Sequence, residues 1–168
     1  HLHLPRASIL AFSGGVPPAL QFGERHPSRT PCLVLLSSAP FTPYTPPVVA
    51  RPIPDWVYQA LFGSDSVYWL IARASPGSLL TAFDAREELR AKLPLDEQAF
   101  LGQLVDAFLP ASDRVAGVLN EGAAIDPGTR YVLERIRSPT LIVHARDDRL
   151  NAFDVAREMS TRIAGARF

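Results

Sequence analysis

Residues 7–20 read Ala7-Ser8-Ile9-Leu10-Ala11-Phe12-Ser13-Gly14-Gly15-Val16-Pro17-Pro18-Ala19-Leu20, and the reading of this stretch decides the fold. Ala7 to Phe12 is short and mostly apolar, suited to a strand buried on both faces. Gly14 and Gly15 then let the chain turn tightly. Pro17 and Pro18 belong in a first helical turn, where a missing N–H does no harm. The helix carries Ala19, Leu20 and Phe22 and ends near His26-Pro27, because Pro27 cannot continue it. Ser13 therefore sits on a sharp strand-to-helix turn among small residues. There a hydroxyl stands clear of the backbone, in the geometry of a nucleophile elbow.

Working outward, Leu33-Val34-Leu35-Leu36 is a second short apolar run, bounded by Pro31 and by Ser37-Ser38. Strand, helix, strand at this spacing predicts a right-handed parallel βαβ unit. The character then changes. Prolines crowd Pro40 to Pro54, which predicts an extended loop. Beyond it, Trp56, Tyr58, Ala60 and Leu61, then Tyr68, Trp69 and Ile71, carry the aromatic mass of a helical cover. These aromatics are expected to form the cover's own core rather than to line a substrate pocket. Phe100, Leu101, Leu104, Val105 and Phe108 recur at three- and four-residue steps, a helix signal. From Pro139 to Ala145 the first pattern returns as a buried strand, followed by the polar loop Arg146-Asp147-Asp148. A helix with Phe153, Ala156, Met159 and Ile163 on one face comes next. The chain thus divides into residues 1–38, 39–137 and 138–168: two α/β pieces with a helical insertion between them.

Composition narrows the function. Seventeen basic and seventeen acidic residues balance, so no global field favours nucleic acid or an anionic membrane. No apolar run approaches the ~18 residues of a spanning helix, and no signal peptide shows. Cys32 is the only cysteine, which excludes an intramolecular disulfide and leaves the compartment open. With four histidines and that one cysteine, no metal-ligand cluster is expected. The Gly14-Gly15 turn lacks the lysine of a phosphate loop and the spacing of a dinucleotide fingerprint, so no cofactor is implied. The chain opens on His1 and Met159 is its one methionine, so either processing removed the start or the chain is a piece of something longer.

Two motifs resemble the α/β-hydrolase superfamily. Ala11-Phe12-Ser13-Gly14-Gly15 is similar to the family's small-x-Ser-x-Gly. Pro17-Pro18-Ala19-Leu20-Gln21-Phe22 and Arg25-His26-Pro27 resemble the helix after the nucleophile. Pro139 to Asp148 is similar to the family's apolar strand ending in small-x-x-Asp. The resemblance implies a partial α/β-hydrolase sheet of about three parallel strands with a helical cap insertion. It implies Ser13 as nucleophile, the Gly14 N–H as an oxyanion donor and Asp148, rather than Asp147, as the acid of the triad. The substrate class implied is a small ester or related carbonyl compound. Serine at this position argues against relatives that use an aspartate nucleophile.

The family's third catalytic group is a histidine, and none of the four fits. His1 and His3 precede the elbow strand, so they lie at its wrong end. His26 closes the following helix, ~20 Å from Ser13 at ~1.5 Å per residue. His144 falls inside the predicted strand and is expected to be a hydrogen-bonded core residue. Relatives place the histidine after one more strand beyond Ile163 to Arg167, so the chain alone is expected to be inactive. The alternative is a non-catalytic interaction module or hydrolase remnant, prone to self-association through exposed sheet edges.

Overall fold

The computed structural model describes residues 3–38, 55–124 and 131–168. The proline-rich loop expected over Pro40 to Pro54 lies outside the described residues. The elements are β1 (Ile9–Phe12), α1 (Val16–Arg25), β2 (Leu33–Leu36), α2 (Asp55–Phe62), α3 (Asp65–Ala74), α4 (Pro76–Ala82) and α5 (Glu87–Arg90). They continue with α6 (Leu95–Ala107), α7 (Ser112–Ala124), β3 (Thr140–Val143) and α8 (Phe153–Arg162). The chain forms two compact units, His1–Val48 with Ile125–Phe168, and Val49–Ala124.

The first unit is a three-stranded parallel sheet in the order β1-β2-β3. Its register aligns Leu10, Val34 and Leu141 in one row and Ala11, Leu35 and Ile142 in the next. Alternate side chains of a strand point to opposite faces, so each row belongs to one face. Ala11, Leu33, Leu35 and Ile142 enter a core with Val16, Ala19 and Leu20 of α1 and Val155, Ala156 and Met159 of α8. The buried residues of α1, Val16, Pro17, Ala19, Leu20 and Gly23, keep helical spacing. Gly23 lets the helix lie close on the sheet: a Cβ there would stand 3.1 Å from the Leu33 side chain. The loops entering β2 and β3 are tied below the core, where the buried Ser138 hydroxyl donates to the Thr30 carbonyl at 2.6 Å.

The sequence predicts strands buried on both faces, and here the structure differs. Leu10, Phe12, Leu141 and Val143 are exposed, so among the described residues only one face of the sheet is covered. After α8 the chain returns to the edge of β3. The Ile142 N–H donates to the Arg167 carbonyl and the Arg167 N–H to the Thr140 carbonyl, each at 2.8 Å, in a parallel bridge.

Among its described residues the elements of the second unit are all helices. Phe62, Tyr68, Ala72, Leu79, Val105 and Ala111 form its core, with Phe108 packed against it. The rings of Phe62, Tyr68 and Phe108 lie 5.4–5.9 Å apart, in the range of favourable aromatic pairs. The Tyr68 hydroxyl donates to the Val105 carbonyl at 2.8 Å, and burial followed by the nearby Asp106 charge pushes its ionisation up. Asp65 receives the Ser112 backbone N–H at 2.9 Å and its hydroxyl at 3.1 Å, which joins the start of α7 to the start of α3. The aromatic core expected here is only partly realised, since Trp56 and Trp69 are exposed. Likewise α6 forms as its periodicity predicts, but Val105 alone is buried while Phe100 and Leu104 face outward.

Candidate functional site

The site lies at the carboxyl ends of the parallel strands, where each strand hands over to a loop and side chains are free of the ladder. Ser13 follows β1 directly and carries a left-handed backbone, φ +50°. The turn was expected to rest on Gly14 and Gly15, but Gly15 is ordinary right-handed backbone, φ −74°, and Gly14 has no positive φ. The strain of the turn therefore falls on the serine, at a cost of about 1–3 kcal/mol that the surrounding core must offset. Val16, immediately beyond the turn, is wholly buried among the core residues and anchors the start of α1. Ser13, Gly14 and Gly15 form a single 3-10 turn leading into that helix. The Gly14 N–H thus sits at a helix N-terminus, where partial positive charge favours a developing anion.

Ser37 occupies the matching position after β2 and is left-handed as well, φ +43°. Its N–H donates to the Val143 carbonyl at 2.9 Å, extending the pairing of β2 with β3 by one bond. That leaves its side chain pointing at the loop after β3. The Ser37 hydroxyl donates to Asp148 Oδ2 at 2.5 Å, a charge-assisted distance. The other oxygen of Asp148 accepts the N–H groups of Leu150 at 2.9 Å and Asn151 at 2.8 Å. A carboxylate that bonds its own backbone two and three residues on closes a tight turn without a second side chain. Asp148 is accordingly half-buried and fixed, whereas Asp147 is exposed.

Asn151 completes the connection. Its side-chain Nδ2 is 3.0 Å from the Ser37 carbonyl and 3.3 Å from Ser13 Oγ. The structure thereby brings the predicted Ser13 and Asp148 into one hydrogen-bonded chain, Ser13–Asn151–Ser37–Asp148, without direct contact between the two ends. Ser37 and Asn151 were not singled out by sequence reasoning. The available signal was positional: Ser37 directly follows β2, and Asn151 lies in the loop that joins β3 to α8.

His144 is the histidine nearest this chain of bonds. It stands one residue past the end of β3 rather than inside the strand, because pairing with β2 ends at Val143. Its side chain is fully buried, as the sequence reading expected, and its Nε2 is 2.8 Å from the Asn151 carbonyl and 3.5 Å from Asp148 Oδ2. A carbonyl only accepts, so Nε2 is the donor of this bond. Among the described residues Nδ1 is buried without a hydrogen-bond partner. His144 is therefore a brace for the Asn151 loop, packed edge-on against Phe153 at 6.1 Å. His26 caps α1, and its ring lies 4.9 Å from Phe22. Among the described residues the hydrogen-bond partner of Ser13 Oγ is Asn151, an amide that cannot accept its proton.

The described residues contain no group of three or more His, Cys, Asp or Glu side chains placed to hold a metal. None of their helices is long and apolar enough to cross a membrane.

No family model matches the chain, and no curated protein matches it. Solved structures do. An α/β hydrolase fold protein from Nakamurella multipartita superposes with a TM-score of 0.63 at 22% identity, over 99% of this chain and 60% of that one. The enol-lactonase from Burkholderia xenovorans gives 0.63 at 18%, over 99% and 57%. An esterase from Exiguobacterium antarcticum gives 0.59 at 25%, over 99% and 58%. The chain thus spans less than two thirds of the length of these neighbours. With its parallel register, its strained serine after β1 and its carboxylate after β3, the chain carries a partial α/β-hydrolase fold.

Proposed function

We propose that the protein is a serine hydrolase of esters or related carbonyl compounds, with Ser13 as nucleophile and Asp148 as the acid that orients its base. The observation that carries this reading is a left-handed serine between strand and helix, hydrogen-bonded through Asn151 and Ser37 to the carboxylate of a distant loop. The base is a histidine supplied from outside these 168 residues. In acylation Ser13 Oγ attacks the carbonyl carbon and its proton passes to that histidine. The Gly14 N–H takes the charge on the carbonyl oxygen, and the alcohol leaves with the proton the histidine returns. Water then attacks the acyl-serine by the same steps, releasing the acid and restoring the hydroxyl. The reaction requires neither metal nor cofactor. The names of the structural neighbours, an enol-lactonase and an esterase among them, support a carbonyl substrate of this kind.

The test is hydrolysis of a short aryl ester by the protein as its gene encodes it. Ser13→Ala abolishes turnover and Asp148→Asn lowers kcat by about 10^4-fold, as loss of the orienting acid does in such triads. Turnover unchanged in Ser13→Ala would sink the reading. The 168 residues alone turn over little, because among the described residues no base reaches Ser13.

A second reading is favoured by one specific observation, the exposed apolar face formed by Leu10, Phe12, Leu141 and Val143. On that reading the chain is a non-catalytic interaction module that self-associates through this face and the edge of β1. A concentration-independent monomer in sedimentation would dismiss it.

A further inference from the structure

Asn151 has two features that its role in shaping a loop does not require. Its backbone already serves that loop: its N–H is held by Asp148 Oδ1 at 2.8 Å and its carbonyl by His144 Nε2 at 2.8 Å. Yet its side chain is almost wholly buried and turned away from its own loop toward the ends of β1 and β2. The amide orientation is fixed by chemistry. The Ser37 carbonyl, 3.0 Å away, can only accept, so the atom facing it is the NH2 group. An NH2 group has two protons. One goes to Ser37, and the other faces Ser13 Oγ at 3.3 Å, with Ser37 Oγ at 3.4 Å beside it.

We propose that Asn151 is a positioning residue for Ser13. Its amide donates to the serine oxygen, selects one rotamer of that side chain and locks it to the loop that presents Asp148. The inference rests on the reading of Ser13 as nucleophile. Its chemical consequence follows from what the hydroxyl can still do. An oxygen that accepts from Asn151 keeps its own proton free and turned away from the amide, ready to be donated to a base. A 3.3 Å contact is long for a neutral hydroxyl, and such bonds tighten as negative charge builds on the oxygen during proton loss. The donor is anchored at three points, the Asp148 carboxylate, the His144 ring and the Ser37 carbonyl, so it needs no reorganisation when that charge appears. The same anchoring makes the register of Ser13 and Asp148 a property of one residue. Asn151 meets Asp148 through its backbone and Ser13 through its side chain.

Two measurements test this. In the first, the Asn151 side-chain amide is followed by 15N–1H NMR in the protein as its gene encodes it and in its Ser13→Ala variant. The expected result is two well-separated amide protons, one of which shifts when the serine oxygen is removed. An amide unmoved by Ser13→Ala overturns the proposal, and no Asn151 variant needs to fold for that result. In the second, aryl ester hydrolysis by the protein as its gene encodes it is compared with Asn151→Ala at matched unfolding temperature. The expected result is a kcat lowered about 10- to 100-fold with KM little changed, the signature of a lost donor to a charged oxygen. Wild-type turnover with an unchanged kcat in Asn151→Ala overturns the positioning role and leaves the hydrolase reading intact. Absence of wild-type turnover sinks the hydrolase reading itself, and the positioning role falls with it.

Discussion

On one face of the sheet Ala11, Leu33, Leu35 and Ile142 are at most 6% exposed beneath α1 and α8; on the other, Leu10 and Phe12 are 68% and 65% exposed and Leu141 and Val143 43% and 50%. The two faces are built from the same kinds of side chain, in the same register. Their difference teaches that apolar residues make a core only where a second layer lies on them. A strand that is apolar at every position marks a sheet layered on both sides. Among the described residues only one layer is supplied. The candidate site belongs to neither face. It collects at the carboxyl ends of the strands, where the polar residues Ser13, Ser37, Asp148 and Asn151 follow apolar runs.

The comparison can be broken most forcefully on the covered face. Leu35 is fully buried at the centre of the sheet, so Leu35→Ala removes packing with little room for collapse. It is expected to cost about 2–5 kcal/mol in denaturant unfolding of the 168-residue chain. A loss below about 1 kcal/mol would mean that the core is not where this account puts it. Next in size is the strand-end cluster. Asp148→Ala strips the acceptor from the Leu150 and Asn151 N–H groups and from the Ser37 hydroxyl. Thermal unfolding should register a loss of about 1–3 kcal/mol, the usual consequence of leaving part-buried donors unpaired.

How much of this was legible in the sequence depends on what each feature needs. The run Leu33 to Leu36 gave β2 with its ends, because Pro31 and Ser37 punctuate it and four apolar residues suffice for a buried strand. His26-Pro27 gave the end of α1 for an equally local reason: proline cannot continue a helix. Ser13 and Asp148 were singled out by the resemblance of their motifs to a known family, and the structure places both at the ends of the parallel strands. Ser37 and Asn151 were not, since nothing marks either until register places the ends of β1, β2 and β3 side by side. The left-handed backbone at Ser13 rather than at Gly14 or Gly15 was also hidden, because serine is not a residue that marks a positive φ in a sequence that offers two glycines beside it. Cover was the least legible property. Leu10 and Ala11 read as two apolar neighbours, and only the placement of the helices separates them.

Smaller effects sharpen the contrast. At the foot of the covered face Arg162 of α8 bonds Glu134 at 2.7 Å and the Tyr131 carbonyl at 3.1 Å. The hydrogen bond from Arg162 holds the Glu134 carboxyl below the ordinary glutamate range, so the unfolded chain takes up its proton first. The stabilisation is therefore full above about pH 4–5 and fades as pH falls through the lower folded value. Because the pair is solvent-exposed, Glu134→Gln should cost under about 1 kcal/mol at neutral pH, with the difference from wild type vanishing in acid. A difference that grows in acid would contradict the pairing.

The smallest effect belongs to the open face. Leu10→Ser should leave stability within about 0.5 kcal/mol of wild type, in contrast to Leu35→Ala in the adjacent row. It should also reduce any concentration-dependent association seen in sedimentation. A loss as large as that of Leu35→Ala would show that the face is covered after all, and the comparison between the faces would collapse.

The central claim, that Ser13 is an activated nucleophile, is tested most directly by a fluorophosphonate probe on the protein as its gene encodes it, with the adduct mapped by peptide mass spectrometry. The account predicts a single adduct on Ser13, lost in Ser13→Ala and weak or missing in the isolated 168 residues. A folded protein that stays unlabelled, or that carries the adduct on another residue, would contradict it.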